Sequence, residues 1–321
     1  MQVMKIKIVI LSILAMSLLA ACNKAENTPE AAGKSVVPVS ITGAFAVPEI
    51  PVTSAPATRA DFVDPTPANP KTATWEVRWK VGDEIRVFNQ IGSEYTVIYE
   101  VTAVNSTTGE ATFSLKAGED VSKFGDGTVF YAAHGGKSSE GYSYLFAENT
   151  IATGLPTYKS IYENTINNSF FITVAKATIN NGELSFVFHN VTSYIRVTVP
   201  AGMEYDLGEL YMTGSGYPSG YFTVVFETSG NGIDSIGNRT GGGSSNTPHW
   251  YGEGDSSVTT KPYPEFPAGV YYLPVRPGST RNRFVAYDTA GTKTLDVTPA
   301  NTITVGIGKI YDIGTIPTAA Q

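Results

Sequence analysis

Apolar residues recur at every second position along most of this chain, in short runs separated by breaks rich in glycine, asparagine and proline. A period of two turns one face of a pleated strand to a core and the other to water. Val37, Val39 and Ile41 make the first such run. The stretch 75–87 reads as strand, turn and strand, with Val81-Gly82-Asp83-Glu84 as the turn. Tyr95, Val97, Tyr99, Val101 and Ala103 share one face; 105–109 carries turn chemistry, and Phe113 with Leu115 continues the meander. Another strand is predicted over 129–133, bounded by Gly127 and Gly135-Gly136. Leu184, Phe186 and Phe188 point one way, after which the apolar phase flips to Val191, Ile195, Val197 and Val199. Such a flip marks a β-bulge or a bend that passes from one sheet to another. Further strands are predicted at 207–213, 221–226, 270–275, 283–287 and 293–297. Ile303, Val305, Ile307, Tyr311 and Ile313 close the chain on one face, broken by Lys309. No run places apolar residues at i, i+3, i+4 and i+7, and 121–124 forms one helical turn at most. The pattern predicts an all-β protein.

The N-terminus departs from that pattern. Lys5 and Lys7 precede an apolar stretch from Ile8 to Leu19, and Leu18-Leu19-Ala20-Ala21 leads into Cys22, the only cysteine of the chain. This is the anatomy of a secretory signal ending in a lipobox, in which Cys22 is lipidated and becomes the mature N-terminus. The apolar core is shorter than the roughly 20 residues of a membrane span. The chain is therefore expected to be exported and held at a membrane surface by its acyl chains. Behind a signal peptide at 1–21 and a polar tether at 22–35, two tandem β-sandwich domains are expected at 36–180 and 181–321. A connector rich in Pro, Ala and Thr at 48–70, containing Thr58-Arg59-Ala60, reads as extended and accessible. The segment 229–261 reads as a long polar loop. No short-period repeat suggests a solenoid or propeller.

Composition narrows the function classes. The net charge of −7 and pI near 5.1 leave no basic stripe for nucleic acid and no electrostatic hold on anionic lipid. One cysteine allows no disulfide framework, so stability must come from the core. Abundant Gly, Pro, Tyr and Phe beside only 16% charged residues suit short strands and tight turns.

Candidate chemistry is sparse. His134, His189 and His249 fit no metal-ligand spacing, and His189, beside Phe188, reads as a core or edge histidine. There is no G-x-S-x-G elbow; Gly214-Ser215-Gly216 and Ser219-Gly220 read as turns. Gly230-Asn231-Gly232 lacks the context of a nucleotide loop, and Glu119 with Asp120 lies in a turn. Matches to glycosylation sequons at Asn105, Asn190 and Asn238 are read as chance. No catalytic residue, metal or cofactor is expected, and the chain is read as non-enzymatic. Trp75 and Trp79 are expected to plug the end of a sandwich. Trp250 and Tyr251, in the polar loop, stand between core packing and contact with a glycan.

Several patterns in order resemble the fimbrillin family, the pilins and pilin-like lipoproteins of type V fimbriae. They are the lipobox at Cys22, the Val37-Val39-Ile41 segment, Ala57-Thr58-Arg59-Ala60, and Trp79-Lys80-Val81-Gly82-Asp83-Glu84-Ile85-Arg86-Val87-Phe88. Phe130-Tyr131-Ala132-Ala133 and Leu155-Pro156-Thr157-Tyr158 follow. Leu184-Ser185-Phe186-Val187-Phe188-His189 with Ile195-Arg196-Val197 resembles the family's opening of a second domain. Ala268-Gly269-Val270-Tyr271-Tyr272 and Gly308-Lys309-Ile310-Tyr311-Asp312-Ile313 resemble its closing strands.

The resemblance implies two transthyretin-like β-sandwiches exported as a lipoprotein to the outer membrane and cell surface. It implies cleavage after Arg59 by an arginine-specific protease and release of the strand holding Val37, Val39 and Ile41. An incoming subunit's strand then fills the groove. The implied partners are other fimbrial subunits, the outer membrane through the lipid anchor, and host or bacterial surface ligands. After Ile313 only 314–321 follow. Either the segment with Ile303, Val305, Ile307, Tyr311 and Ile313 is itself the donor strand, or the subunit accepts without donating. Anchor subunits of the family keep their lipid and escape cleavage, which would leave Arg59 without a role. The expected function is a fimbrial subunit or fimbrillin-like adhesin assembling by donor-strand exchange. The alternative is a glycan-binding surface lipoprotein of a nutrient-uptake system using Trp250 and Tyr251, and a secreted hydrolase is the weakest option.

Overall fold

The computed structural model describes residues 37–38, 40–46, 61–63, 76–135, 143–155, 158–160, 170–215, 219–238, 249–251, 262, 264–281, 283–298 and 302–319. Cys22, the tether, Val39, Arg59 and Trp75 lie outside them. The first strands are β1 (Ser40–Phe45), β2 (Asp61–Val63), β3 (Glu76–Arg78), β4 (Glu84–Phe88), β5 (Val97–Val104), β6 (Ala111–Leu115) and β7 (Val129–His134). β8 (Tyr144–Ala147), β9 (Thr150–Leu155), β10 (Tyr158–Ser160), β11 (Thr173–Thr178) and β12 (Glu183–Asn190) follow. Then come β13 (Ser193–Val199), β14 (Leu207–Thr213), β15 (Gly220–Phe226), β16 (Ile233–Asn238), β17 (His249–Tyr251) and β18 (Gly269–Val275). The last are β19 (Thr280–Arg281), β20 (Arg283–Asp288), β21 (Lys293–Val297), β22 (Ile303–Thr304) and β23 (Ile310–Thr315). The helical elements among the described residues are short 3-10 turns, Ser93–Tyr95 and Val121–Lys123. The protein is all-β, as the period of two predicts.

Seven strands close on themselves in the order β1-β12-β11-β7-β4-β5-β6. Inside the ring lies a core of Ile41, Trp79, Ile85, Val87, Val97, Tyr99, Val101, Phe113, Phe130, Leu184, Phe186 and Phe188, among others. β7 and β11 bury both faces: Phe130 and Ala132 point into the ring, whereas Tyr131 and Ala133 point out against a second core. Strands buried on both sides read as continuous apolar runs rather than alternation, and Val129-Phe130-Tyr131-Ala132-Ala133 is such a run. The sheet β16-β15-β9-β8 covers that outer face with Ile151, Leu155, Phe222, Val224 and Phe226. A third core, with Ile195, Val197, Leu210, Trp250, Leu273 and Phe284, belongs to the sheets β18-β13-β23 and β10-β17-β14-β20-β21.

Local sequence accounts for the turn that opens β4. Gly82 takes φ +90 and Asp83 donates its backbone N–H to the Lys80 carbonyl at 3.0 Å. The Asp83 carboxylate accepts the Lys80 N–H at 2.9 Å, and Gly82 and Val101 tie the turn to β5. Glycine reaches that φ without the steric cost other residues meet. Trp79, directly before the turn, is buried as expected, at 3% exposure.

The structure differs from the sequence reading in several elements. β2 lies inside the proline-rich connector and pairs with β3, while β16 and β17 lie inside the segment read as a polar loop. The phase flip after Phe188 is a bend between sheets: β12 stays in the ring and β13 enters the next sheet. The final run is two strands, β22 and β23, separated by a turn in which Gly308 takes φ +61. The second sandwich was expected from residue 181, but β12 pairs with β11 and β1. Asn181 (φ 50) and Gly182 (φ 82) make the two-residue turn that holds β12 antiparallel to β11.

Trp79 touches the rings of Phe45, Phe113, His134 and Phe188. Trp79→Ala is expected to cost about 3–5 kcal/mol, the range for emptying a large aromatic site. Chemical denaturation would measure it, and a loss below about 1 kcal/mol would place that ring outside the load of the core.

Candidate functional site: the seat of the first strand

β1 is an interior strand although it is the first strand among the described residues. It runs parallel to β12, with Ile41 opposite Leu184, Gly43 opposite Phe186 and Phe45 opposite Phe188. On its other side it runs antiparallel to β6, pairing Ile41 with Phe113 and Gly43 with Ala111. Ala46 extends the ladder by donating its N–H to the Phe188 carbonyl at 2.7 Å. Alternation sends Ile41 and Gly43 inward, both buried, while Thr42 and Ala44 keep partial exposure.

The inward face meets an aromatic pocket. The Phe45 ring stacks on Trp79 with centroids 4.3 Å apart and planes 19° apart. Phe171 and Phe188 flank Phe45 at 6.1 and 6.2 Å. Trp79 in turn receives the edges of Phe113 at 5.1 Å and Phe188 at 5.0 Å. Offset-stacked and edge-to-face pairs contribute about 0.5–1.5 kcal/mol each beyond their buried area. Gly43 leaves room for two of these rings: a Cβ there would lie 2.9 Å from Phe188 Cε2 and 3.1 Å from Phe113 Cε2.

His134 borders this pocket, its ring 5.1 Å from Trp79. Its Nδ1–H donates to the Glu84 carbonyl at 2.8 Å, since a carbonyl only accepts. That leaves Nε2 as the unprotonated nitrogen, buried and without a hydrogen-bond partner among the described residues. Burial pushes the His134 pKa down, opposed in part by the Glu84 carbonyl. On β12, His189 is pushed down as well, again mainly by burial.

The other residues singled out by the sequence fall as follows. Ile41 is in the groove; Val37 is half-buried and precedes the strand; Val39, Cys22 and Arg59 lie outside the described residues. Trp250, on β17, is fully buried in the C-terminal core and presents no ring face to solvent. The backbone of Tyr251 pairs with Glu209 on β14. His249 donates Nδ1–H to the Glu209 carboxylate and stacks on Tyr211. Asp120 caps the turn at Val121–Lys123 by accepting the Ser122 N–H at 2.8 Å. Ile303 pairs with Arg281 in β19, and Tyr311 with Ile195 in β13. Val305 is buried in the C-terminal core, Ile313 packs on it, and Ile307 is exposed. Among the described residues no group of His, Cys, Asp and Glu is placed to hold a metal ion. Gly43 escaped the sequence reading because glycine carries no hydropathy signal. The clue was its place between Ile41 and Phe45 at strand spacing.

No family model and no curated protein matches the chain. Solved structures found similar to the chain include three from Bacteroides. A candidate cell adhesion protein from Bacteroides ovatus ATCC 8483 gives a TM-score of 0.42 at 12% identity, over 88% of this chain and 93% of that one. A fimbrial protein from the same organism gives 0.33 at 11% identity, over 89% of this chain and 49% of that one. A candidate polysaccharide-binding protein from Bacteroides thetaiotaomicron VPI-5482 gives 0.31 at 9% identity, over 86% and 90%.

An unfolded histidine takes up a proton below about pH 6.5, and buried His134 resists doing so. Its contribution to stability is therefore intact above that pH and lost as the pH falls toward the lowered folded-state value. The slope for this one group is at most about 1.4 kcal/mol per pH unit. Melting temperature is expected to fall between about pH 7 and pH 5, and to fall less in His134→Gln. Identical profiles for the two proteins would remove His134 as the cause.

Proposed function

We propose that this chain is a non-enzymatic, lipid-anchored surface subunit of the fimbrillin kind, which assembles by exchanging its first strand for one supplied by another subunit. The observation that supports this most is the seat of β1. It closes the ring, yet it is the N-terminal strand of the ring, and the connector that contains Arg59 follows it directly. In sequence, Arg59 falls between β1 and β2, so a cut there detaches β1 and leaves every other strand intact.

The energetics support the same reading. Loss of β1 would uncover ladder groups on β12 and β6 and the pocket that holds Ile41 and Phe45. Burying two such side chains contributes up to about 6 kcal/mol at roughly 1.5–3 kcal/mol each. That approaches the roughly 5–15 kcal/mol stability of a whole domain, so an open ring favours a replacement strand. Cys22 would tether the subunit to the outer membrane at the cell surface, with other fimbrial subunits as partners. The division into two sandwich domains belongs to this proposal; one core is drawn from residues 41–188 and another from residues 195–316, while a further core joins residues 88–191 to Phe222, Val224 and Phe226. The alternative of glycan contact through Trp250 gains nothing from a ring that is fully buried.

The test is removal and restoration of β1. Arginine-specific protease is expected to cut the chain once, leaving Ala60 as the new N-terminus, with no such product from Arg59→Ala. The cut protein should melt at lower temperature and recover when a synthetic peptide of residues 40–46 is added. A resistant chain, or a cut chain with unchanged melting, would sink the proposal.

A further inference from the structure

We infer that the β1 groove selects its incoming strand by size at one position, admitting an aliphatic residue, a glycine and an aromatic residue at alternate places. The corollary is that the occupant comes from a different subunit and not from the C-terminal strand of this chain. This rests on the strand-exchange reading above.

The filter is visible at Gly43. Its φ is not positive, so backbone freedom is not what calls for glycine there. Space is. A Cβ would meet Phe188 Cε2 at 2.9 Å and Phe113 Cε2 at 3.1 Å. A contact under 3 Å is relieved cheaply only if the neighbour can move, and Phe188 is hemmed in. Its ring is fully buried, with Trp79 at 5.0 Å, Phe186 at 5.8 Å, Phe45 at 6.2 Å and Phe113 at 6.4 Å. The residue paired with Gly43 on β6 is Ala111, also buried, so two small residues side by side make room for the two rings. Two positions further on, the flat face of Trp79 is covered by Phe45, which favours an aromatic residue there. Two positions earlier, Ile41 fills an aliphatic site between Leu184 and Phe113.

The chain's own C-terminal segment does not meet this rule in any register. Gly306 stands between Thr304 and Gly308, Gly308 between Gly306 and Ile310, and Gly314 between Asp312 and Ile316 at the alternate positions. Centring Val305, Ile307 or Ile313 instead would drive a branched side chain into Phe188. No other glycine of the chain has an Ile, Val or Leu two places before it and an aromatic residue two places after. Within this sequence only β1 fits the groove that β1 occupies.

The experiment uses protease-treated protein and three fluorescent peptides: residues 40–46, the same peptide with Gly43→Val, and residues 303–309. The first is expected to bind, and the other two to bind about tenfold weaker or worse, as overpacking of a tight core site implies. Cut protein alone should stay monomeric. Comparable binding of all three peptides, or polymers of the cut chain that depend on residues 303–316, would overturn the filter while leaving strand exchange in place. Binding of none would overturn strand exchange and the filter with it. In the intact chain, Gly43→Val should lower the melting temperature and Gly43→Ala should lower it less. Unchanged melting in both would refute the size rule independently of assembly.

Discussion

A ring of strands has no edge only while every member is in place, and here the member that closes the ring is the first in sequence. β1 satisfies β12 on one side and β6 on the other, and its inward residues complete the core that all seven strands share. The N-terminal core therefore depends on a segment joined to the remainder only through the connector at its C-terminal end. Hydrophobic burial supplies the strength of the seat, and shape complementarity decides what may sit in it.

The aromatic cluster gives that seat its shape. Trp79 is fixed by the turn that follows it, where Gly82 supplies a positive φ and Asp83 bonds back to Lys80. The indole then offers one face to Phe45 and takes the edges of Phe113, Phe188 and His134 around it. His134 must stay neutral to sit there, because its Nε2 faces no acceptor among the described residues. The pocket is thus apolar and disfavours a charged imidazole for one reason: His134 is buried against a dense group of rings.

The C-terminal sheets stand apart from that device. β23 lies parallel to β13, with a register shift between Arg196 and Thr198, and Arg196 on β13 bonds the Asp312 carboxylate of β23 at 2.6 Å. Trp250 sits in their core. β23 is thus seated in a sheet of its own, separate from the ring that β1 closes.

The alternation of apolar residues was enough to define an all-β protein, and it located β14 and β21 to the residue. It expected Trp79 to plug the end of a sandwich, and it read the flip after Phe188 as a β-bulge or a bend between sheets, of which the structure shows the bend. These features are local, since period, turn chemistry and ring size act within a few residues. Alternation could not say which strands pair. It ended the first run at Ile41, short of Phe45, because Gly43 contributes no hydropathy, and it joined β22 to β23 across a glycine turn. Asn181-Gly182 did carry a readable hairpin signal assigning β12 to the ring. What only tertiary structure decided is that β1 inserts between β12 and β6, and that Gly43 is required by two phenylalanines, one 70 and one 145 residues further along the chain. Pairing partners and close approaches of that kind are set by packing across the whole core, and no window of sequence contains both sides of the contact.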